Sequence, residues 1–349
     1  MFLDELPTET VTNIFLYAPT VASALALSST CHRFRTIFKS SKRLLILGQA
    51  AENQYGPLRD AIQLITYNES QPAHLPREAP LSDALLTSIV HVGQVAAKWE
   101  DIYPFKRWKH DYAARRLLDP AERWTLRRAI YRLWLFSKAY HNAAHNRLAR
   151  TAPQPTRERA LLLHNYNTGE LAEMMDVHNI LRDVICNNIC PSNGTIRRKF
   201  HKRFPDSNYQ LLFNIHLNYP PSPSDTFANS DAFYNHRQSN AMQFKFHNKF
   251  VPSRSHEPGG EGWGEDISHY YVVEDMLKLD PAQILHLRDN APLKGQVEAY
   301  IRGLGDWFDN NGETFCQTMS MVVVQRGRDM EEIKEAIEDG ILGIAVEDD

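Results

Sequence analysis

The chain has 349 residues, a length that predicts about two domains at roughly 150 residues each. A hydrophobic fraction of 43% with 23% charged residues predicts a soluble globular protein, and no run approaches the ~18 apolar residues of a membrane helix, so no membrane partner is expected. The formal net charge of −3 argues against nucleic acid as a partner, and four cysteines are too few for a disulfide scaffold, which predicts a reducing cytoplasmic or nuclear location. Asp4 and Glu5 stand where a secretory signal would carry basic residues, so no such signal is expected.

The first element starts at Leu6-Pro7. Proline suits the first turn of a helix, where its missing N–H has no intrahelical partner, and Thr8 and Glu9 suit the same turn. Val11, Ile14, Phe15 and Ala18 then share one face, whereas Leu16 and Tyr17 fall off it. Pro19 stops this helix. A second apolar pattern runs through Val21, Leu25, Leu27 and Cys31, and a third through Phe34, Ile37 and Phe38. Three short helices over so few residues make a core too small to stand alone, since chains below ~40 residues usually need staples or a partner. The segment is therefore expected to complete its core against another surface.

Leu6-Pro7, Glu9, Ile14-Phe15, a leucine helix and Cys31-His32-Arg33-Phe34 follow one another in that order within residues 3–45. This pattern resembles the F-box, whose members typically read LP-x-E, then I-F, then an apolar helix, then C-[KR]-R-[WF]. Two departures stand out: the gap around Ala18-Pro19-Thr20 is slightly longer than usual, and the common tryptophan after the third helix is missing. The resemblance implies a three-helix module that binds the adaptor protein of a cullin-based SCF ubiquitin ligase. On the matching positions it implies Leu6, Pro7, Ile14 and Leu16 as the adaptor-facing residues. Without the resemblance, the same stretch reads as an N-terminal helical cap on a larger domain.

Residues 46–349 predict a mostly helical body. Leu44 to Tyr67 reads as a helix, or as a pair broken at Gly56-Pro57, and the three prolines of Gln71 to Pro80 predict a loop. Ser82 caps a helix through Leu85, Leu86, Ile89, Val92, Ala96 and Trp99; the aromatic-basic run Tyr103 to Trp108 then reads as a turn or short helix. Asp119-Pro120-Ala121-Glu122 carries the signals of a capping box, and the long helix after it has Leu126, Ile130, Leu133, Trp134 and Ser137 on one stripe. Arg123, Arg127, Arg128 and Arg132 lie off that stripe and read as a solvated face or as a surface for an acidic partner. With Trp124 and Tyr131 this helix is similar to those of helical F-box proteins of filamentous fungi. Two prolines in Thr151 to Thr156 predict a break, and Thr168 to Ile189 reads helical.

Ile196 to Ile215 reads as a basic-aromatic helical stretch, and Asn218 to Glu265 as one long irregular loop region, of the kind that is usually functional or disordered. Asp280 to Gln283 repeats the Asp-Pro capping logic. Pro292 to Phe308 is apolar-periodic, and Thr314 to Val324 is too, with Val322-Val323-Val324 admitting a strand. Asp329 and Glu332 predict a further capping box, Gly340 the end of that helix, and Ile341 to Val346 a short apolar end that packs. No leucine-rich, propeller-blade or kelch-like period is present.

Possible sites of chemistry are few. His141 and His145 stand four apart on the predicted long helix, but Asn142 occupies the place where a zinc protease needs glutamate. Cys186 and Cys190, with His178 before them, lack a second ligand pair at finger-like spacing and read as buried thiols. Gly259 to Gly264 has Glu261 where a phosphate cradle needs lysine; it reads as flexible backbone around Trp263, a candidate binding loop. The basic run Arg197, Arg198, Lys199, Lys202 and Arg203 reads as a solvated face. No nucleophile or paired-carboxylate motif stands out, and no metal or cofactor is expected.

These observations predict a mainly α fold with a non-catalytic role: a substrate-recognition subunit of an SCF-type ubiquitin ligase, partnered by the adaptor, through it the cullin, and a protein substrate. A scaffold that uses its adaptor outside a ligase is the alternative, and a helical enzyme with a site near the Gly-rich loop a more distant one.

Overall fold

The computed structural model describes residues 6–145, 147–196, 198, 262–264, 266–308 and 312–346. Every regular element among the described residues is helical. The chain divides into two compact units, the first made of Met1–Ala139, Arg157–His178 and Gln317–Asp349, the second of Tyr140–Thr156 and Asn179–Cys316. Nearly all of the expected helix over Ile196 to Ile215, most of the basic run around Lys199, and nearly all of Asn218 to Glu265 lie outside the described residues.

In the first unit, helices α1 (Thr8–Leu16), α2 (Val21–Ser28) and α3 (His32–Phe38) follow the predicted pattern. Val11 and Phe15 are fully buried. The ring of Phe15 stands 6.1 Å from that of Phe34, edge to face, and 5.7 Å from that of Phe38. Thr20 ends the turn after Pro19 by capping α2, its Oγ1 accepting from the N–H of Ser23 at 2.9 Å. Cys31 caps α3 in the same manner, its Sγ accepting from the Phe34 N–H at 3.5 Å.

The surface that completes this small core belongs to the chain itself. Helix α4 (Arg43–Tyr55) packs on α1 and α2, and α6 (Asp83–Arg107) packs on α4. Phe15, Phe34 and Phe38 thus join one apolar cluster with Ile46, Leu47 and Ala50 of α4 and Leu86 and Ile89 of α6. Two polar side chains of α4 seal the α1–α2 turn: Asn53 Nδ2 donates to the Ala18 carbonyl at 3.1 Å, and Gln54 Oε1 accepts from the Val21 N–H at 3.0 Å. Gly93 lets α6 approach, because a Cβ there would meet the Tyr55 ring at 2.4 Å.

Helix α5 (Leu58–Thr66) follows the break at Gly56-Pro57, and residues 67–82 form the expected loop. The aromatic-basic run after Glu100 is not a separate turn. Helix α6 continues through Pro104 to Arg107, with Pro104 inside the helix and without a backbone bond of its own to Glu100. Helix α7 (Pro120–Tyr140) starts on the predicted box, with Asp119 Oδ1 accepting from the Glu122 N–H and Glu122 Oε2 accepting from the Asp119 N–H, both at 2.8 Å. The expected break narrows to Thr151 and Ala152, because helix α8 (Pro153–His164) takes both prolines into a first turn that tolerates them. Helix α9 (Thr168–Val184) opens on a reciprocal cap between Asn167 and Glu170, 2.9 Å in both directions.

Helix α13 (Phe315–Gln325) stands where the valine run admitted a strand. The reason is its burial pattern: Met319, Val322 and Val323 are buried, which is helical spacing, whereas Val324 is 62% exposed. Asp329 caps α14 (Met330–Glu338) through the N–H of Glu331 at 3.0 Å, rather than through a box with Glu332. Gly340, with φ 76°, ends α14 as expected. Ile344 and Ala345 are buried, and the Ile344 N–H donates to Asp176 Oδ2 at 3.0 Å.

The Tyr103 hydroxyl donates to that same Asp176 oxygen at 2.6 Å. Burial raises the Asp176 carboxyl above its ordinary 3.8, although the bonds from Tyr103 and Ile344 pull it down. A carboxyl raised in the fold contributes stability that is fully present below its unfolded pKa and is lost as pH climbs through the folded value. Asp176→Asn can keep both accepted bonds on its amide oxygen while removing the titration. Wild type is therefore expected to lose stability relative to Asp176→Asn as pH rises from about 3.8, measured by urea unfolding across pH. Parallel curves would contradict this.

In the second unit, α10 (Asp266–Met276), α11 (Pro281–Asn290) and α12 (Lys294–Leu304) accompany 3-10 turns at Arg147–Arg150 and Asp306–Phe308 and a π turn at Ile185–Ile189. Asp280 and Gln283 form the predicted box. Lys278, 2% exposed, pairs with Asp275 at 3.3 Å, donates to the Phe308 carbonyl and lies 4.3 Å from the Phe308 ring centroid. A buried ammonium of this kind needs its charge met on the spot.

Candidate docking surface

The four residues expected to face an adaptor lie at the start and end of α1. Pro7 is exposed, while Leu6, Ile14 and Leu16 are half-buried. Leu6 and Leu16 both pack against the cluster of Phe15 and Phe34. An Arg33 guanidinium N–H donates to the Leu6 carbonyl, which ties the entrance of α1 to α3. Tyr17, set aside in sequence because it left the apolar face, is 85% exposed, and Leu25 on α2 is 45% exposed. Together these positions give the helices a rim of uncovered apolar atoms over a closed aromatic core. Residues 3–45 match the family model of the F-box domain.

The chain is an F-box domain-containing protein. F-box domains in general bind SCF adaptors and so enter cullin complexes, and F-box proteins are typically non-catalytic components of ubiquitin ligases. No curated protein and no solved structure matches the chain, so the fungal likeness of the long helix finds no counterpart there. Among the described residues no helix is long and apolar enough to cross a membrane.

Of the arginines of α7, Arg123 is exposed as expected, whereas Arg127, Arg128 and Arg132 are not a solvated face. Arg127 is 6% exposed, pairs with Glu100 at 3.1 Å and donates to the Gln54 carbonyl. Arg128 pairs with Glu173 at 2.6 Å. Arg132 stands between Asp60 at 2.6 Å and Glu170 at 2.8 Å, with the Tyr166 ring centroid 4.4 Å from its Cζ. These charges couple the F-box side of the first unit, through α4, α5 and α6, to α9.

Arg132, Asp60, Glu170 and Tyr166 also line a cavity of about 470 Å³ with Arg59, His74, Arg77 and Glu78. Its ionisable groups are mostly committed. Arg77 donates to the carbonyls of Thr66, Asn68 and Gln71 and holds the loop after α5. Burial alone would raise Glu170, but the Asn167 N–H and Arg132 outweigh it and hold the carboxyl below its ordinary 4.5. A general base working near neutrality needs the opposite shift. Glu170 is therefore shifted away from that role.

His141, His145, Cys190 and Trp263 are each held in contacts of their own. Helix α7 ends at Tyr140, so His141 and His145 lie beyond it and not on one helical face. His141 Nε2 bonds Thr314 Oγ1 at 3.1 Å, and His145 Nδ1 bonds Asn142 Oδ1 at 3.0 Å. Cys190 is fully buried and its thiol is pushed well up, first by burial. Trp263 is 4% exposed, with Lys294 Nζ 5.1 Å from its ring centroid. The Trp263 ring is thus not an exposed aromatic, while Gly259 to Glu261 of the expected binding loop lie outside the described residues.

Proposed function

We propose that this F-box protein is a non-catalytic substrate-recognition subunit of an SCF-type ubiquitin ligase. Its F-box docks on the adaptor through Leu6, Pro7, Ile14 and Leu16, with Tyr17 beside them, and the helices after residue 45 hold a protein substrate. The single observation behind this reading is the pairing of a family match over residues 3–45 with an apolar rim that the chain's own core leaves uncovered. A closed core beneath the rim favours docking, because a preformed surface loses little entropy when it binds. Catalysis then resides in the partner complex, and this chain supplies proximity by raising the local concentration of substrate.

Leu6→Ala combined with Pro7→Ala is expected to weaken adaptor binding by about 2 kcal/mol, roughly thirtyfold. Titration calorimetry with purified adaptor measures it. Wild-type affinity in the double variant would move the docking surface elsewhere on the module.

A further inference from the structure

We propose that the cavity between α5, the loop of residues 67–82, α7, α8 and α9 binds a small zwitterion of the amino-acid type, a free amino acid or a dipeptide with an apolar side chain. The proposal is independent of the adaptor-docking reading.

The cavity is formed in advance of any ligand. Its volume of about 470 Å³ falls within the ~300–1,000 Å³ usual for small-molecule sites. Gln63 of α5 fixes the loop: its Nε2 donates to the carbonyls of Ala73 and Leu75 at 3.2 and 2.8 Å, and its Oε1 accepts from the Arg77 N–H at 2.6 Å. Asn165 Nδ2 donates to the His74 carbonyl at 2.6 Å and ties the same loop to the end of α8. The Arg132 guanidinium stands over the Tyr166 ring and joins α7 to the lining. A site held open in this way loses little entropy when it is filled.

Charge sets the class of ligand. Arg59, Arg77 and Arg132 line the cavity together with Asp60, Glu78 and Glu170, so its walls are balanced and favour a ligand without net charge. Arg132 is already met by Asp60 and Glu170, and Arg77 gives its N–H groups to the carbonyls of Thr66, Asn68 and Gln71. Arg59 and Glu78 are left over. Both are exposed, and neither makes a hydrogen bond or an ion pair with the other or with any other described residue. One uncommitted cation and one uncommitted anion, set apart on one cavity, suit the carboxylate and the ammonium of a single zwitterion. A ligand of net charge would leave one of them facing a like charge.

The rest of the lining includes covered apolar surface. Leu162 is 1% exposed, Ala73 3% and Tyr166 9%, which suits an apolar side chain. Nine-tenths of Tyr166 is covered, yet its hydroxyl bonds to no described residue. A ligand carbonyl would satisfy it, as the peptide group of a dipeptide can.

Isothermal titration calorimetry on the full chain tests this with a panel of free amino acids and of dipeptides built from leucine, phenylalanine and tyrosine. Each is run beside its N-acetylated and its C-terminally amidated form. At least one zwitterion is expected to bind, and capping either end to weaken it at least about tenfold. Glu78→Gln should erase the difference between free and acetylated forms while keeping that between free and amidated ones, and Arg59→Gln should do the reverse. Tyr166→Phe should weaken dipeptides and keep both preferences. Arg59 and Glu78 are exposed, so wild-type unfolding temperatures in their variants separate a lost contact from a lost fold. No binding across the panel, capped forms that bind as well as free ones, or a preference that survives its variant would overturn the proposal. So would tighter binding of inorganic phosphate or of spermidine, which would show walls that select net charge. Adaptor affinity should be unchanged in all of these variants, so failure here leaves the docking reading standing.

Discussion

Phe15→Ala is expected to lower the stability of the first unit by about 3–5 kcal/mol, the range for deleting a fully buried aromatic ring. The residue has no exposed surface, and its ring meets those of Phe34 and Phe38. Its loss opens a void at the point where α1, α3 and α4 share one cluster, so that the F-box cannot loosen without uncovering Ile46 and Leu47. Adaptor affinity should fall with it, because the rim of α1 is held from beneath. Tyr17→Ala, one helical edge away and 85% exposed, should stay within ~0.5 kcal/mol of wild type in stability. Urea unfolding of the two variants measures the contrast. Equal stabilities would mean that the aromatic cluster does not hold the module.

Arg132→Ala is the second large effect, expected to cost about 3–5 kcal/mol. The guanidinium is 12% exposed and stands between Asp60 and Glu170, themselves 16% and 18% exposed. Removing it leaves two half-dry carboxylates facing a gap, with Arg128 at 3.8 Å from Glu170 already committed to Glu173. Replacing all three, with Asp60→Asn and Glu170→Gln beside Arg132→Met, should restore much of the loss, because the penalty comes from uncompensated charge and not from the pair's net strength. The pH dependence has a definite sign. A carboxyl held below its ordinary value contributes stability that is present above the unfolded pKa and fades as pH falls through the folded one. Glu170 is such a group, so the deficit of Arg132→Ala should narrow as pH drops below about 4.5. Thermal unfolding of wild type and variant at neutral and acid pH checks it, and a deficit that does not change with pH would argue for lost packing instead.

What was legible in the sequence was what is local. Pro7, Ser82, Asp119, Asp280 and Gly340 mark helix ends through groups at most a few residues apart, and each marks one in the structure. The F-box was legible for the same reason, its motif being a row of short-range signals within residues 3–45. The burial of Arg127, Arg128 and Arg132 was not legible. Their partners Glu100, Glu173, Asp60 and Glu170 are remote in sequence, and a helix of arginines reads as solvated until tertiary structure brings carboxylates to it. The valines of α13 misled because β-propensity reports a half-buried surface and not a backbone preference, whereas the spacing of Met319, Val322 and Val323 was helical throughout. The run Tyr103 to Trp108 was seen as aromatic and basic, but the clamp of Phe105 and Tyr112 on Arg115 depends on the chain folding back after α6, which no periodicity announces.

The continuity of the F-box core with α4 and α6 decides how the central claim is best tested. Deleting the first forty-five residues would strip Ile46, Leu47, Leu86 and Ile89 of their cover and perturb the rest of the unit. Point changes on the rim avoid this. The most direct measurement is affinity purification of the intact chain beside Leu6→Ala with Pro7→Ala, with mass spectrometry of what each retains. Adaptor and cullin should accompany the intact chain and be lost from the variant, while proteins kept by both are the substrates. Absence of adaptor and cullin from the intact chain, or their equal recovery with the variant, would contradict docking through this face; adaptor without cullin would contradict the ligase role.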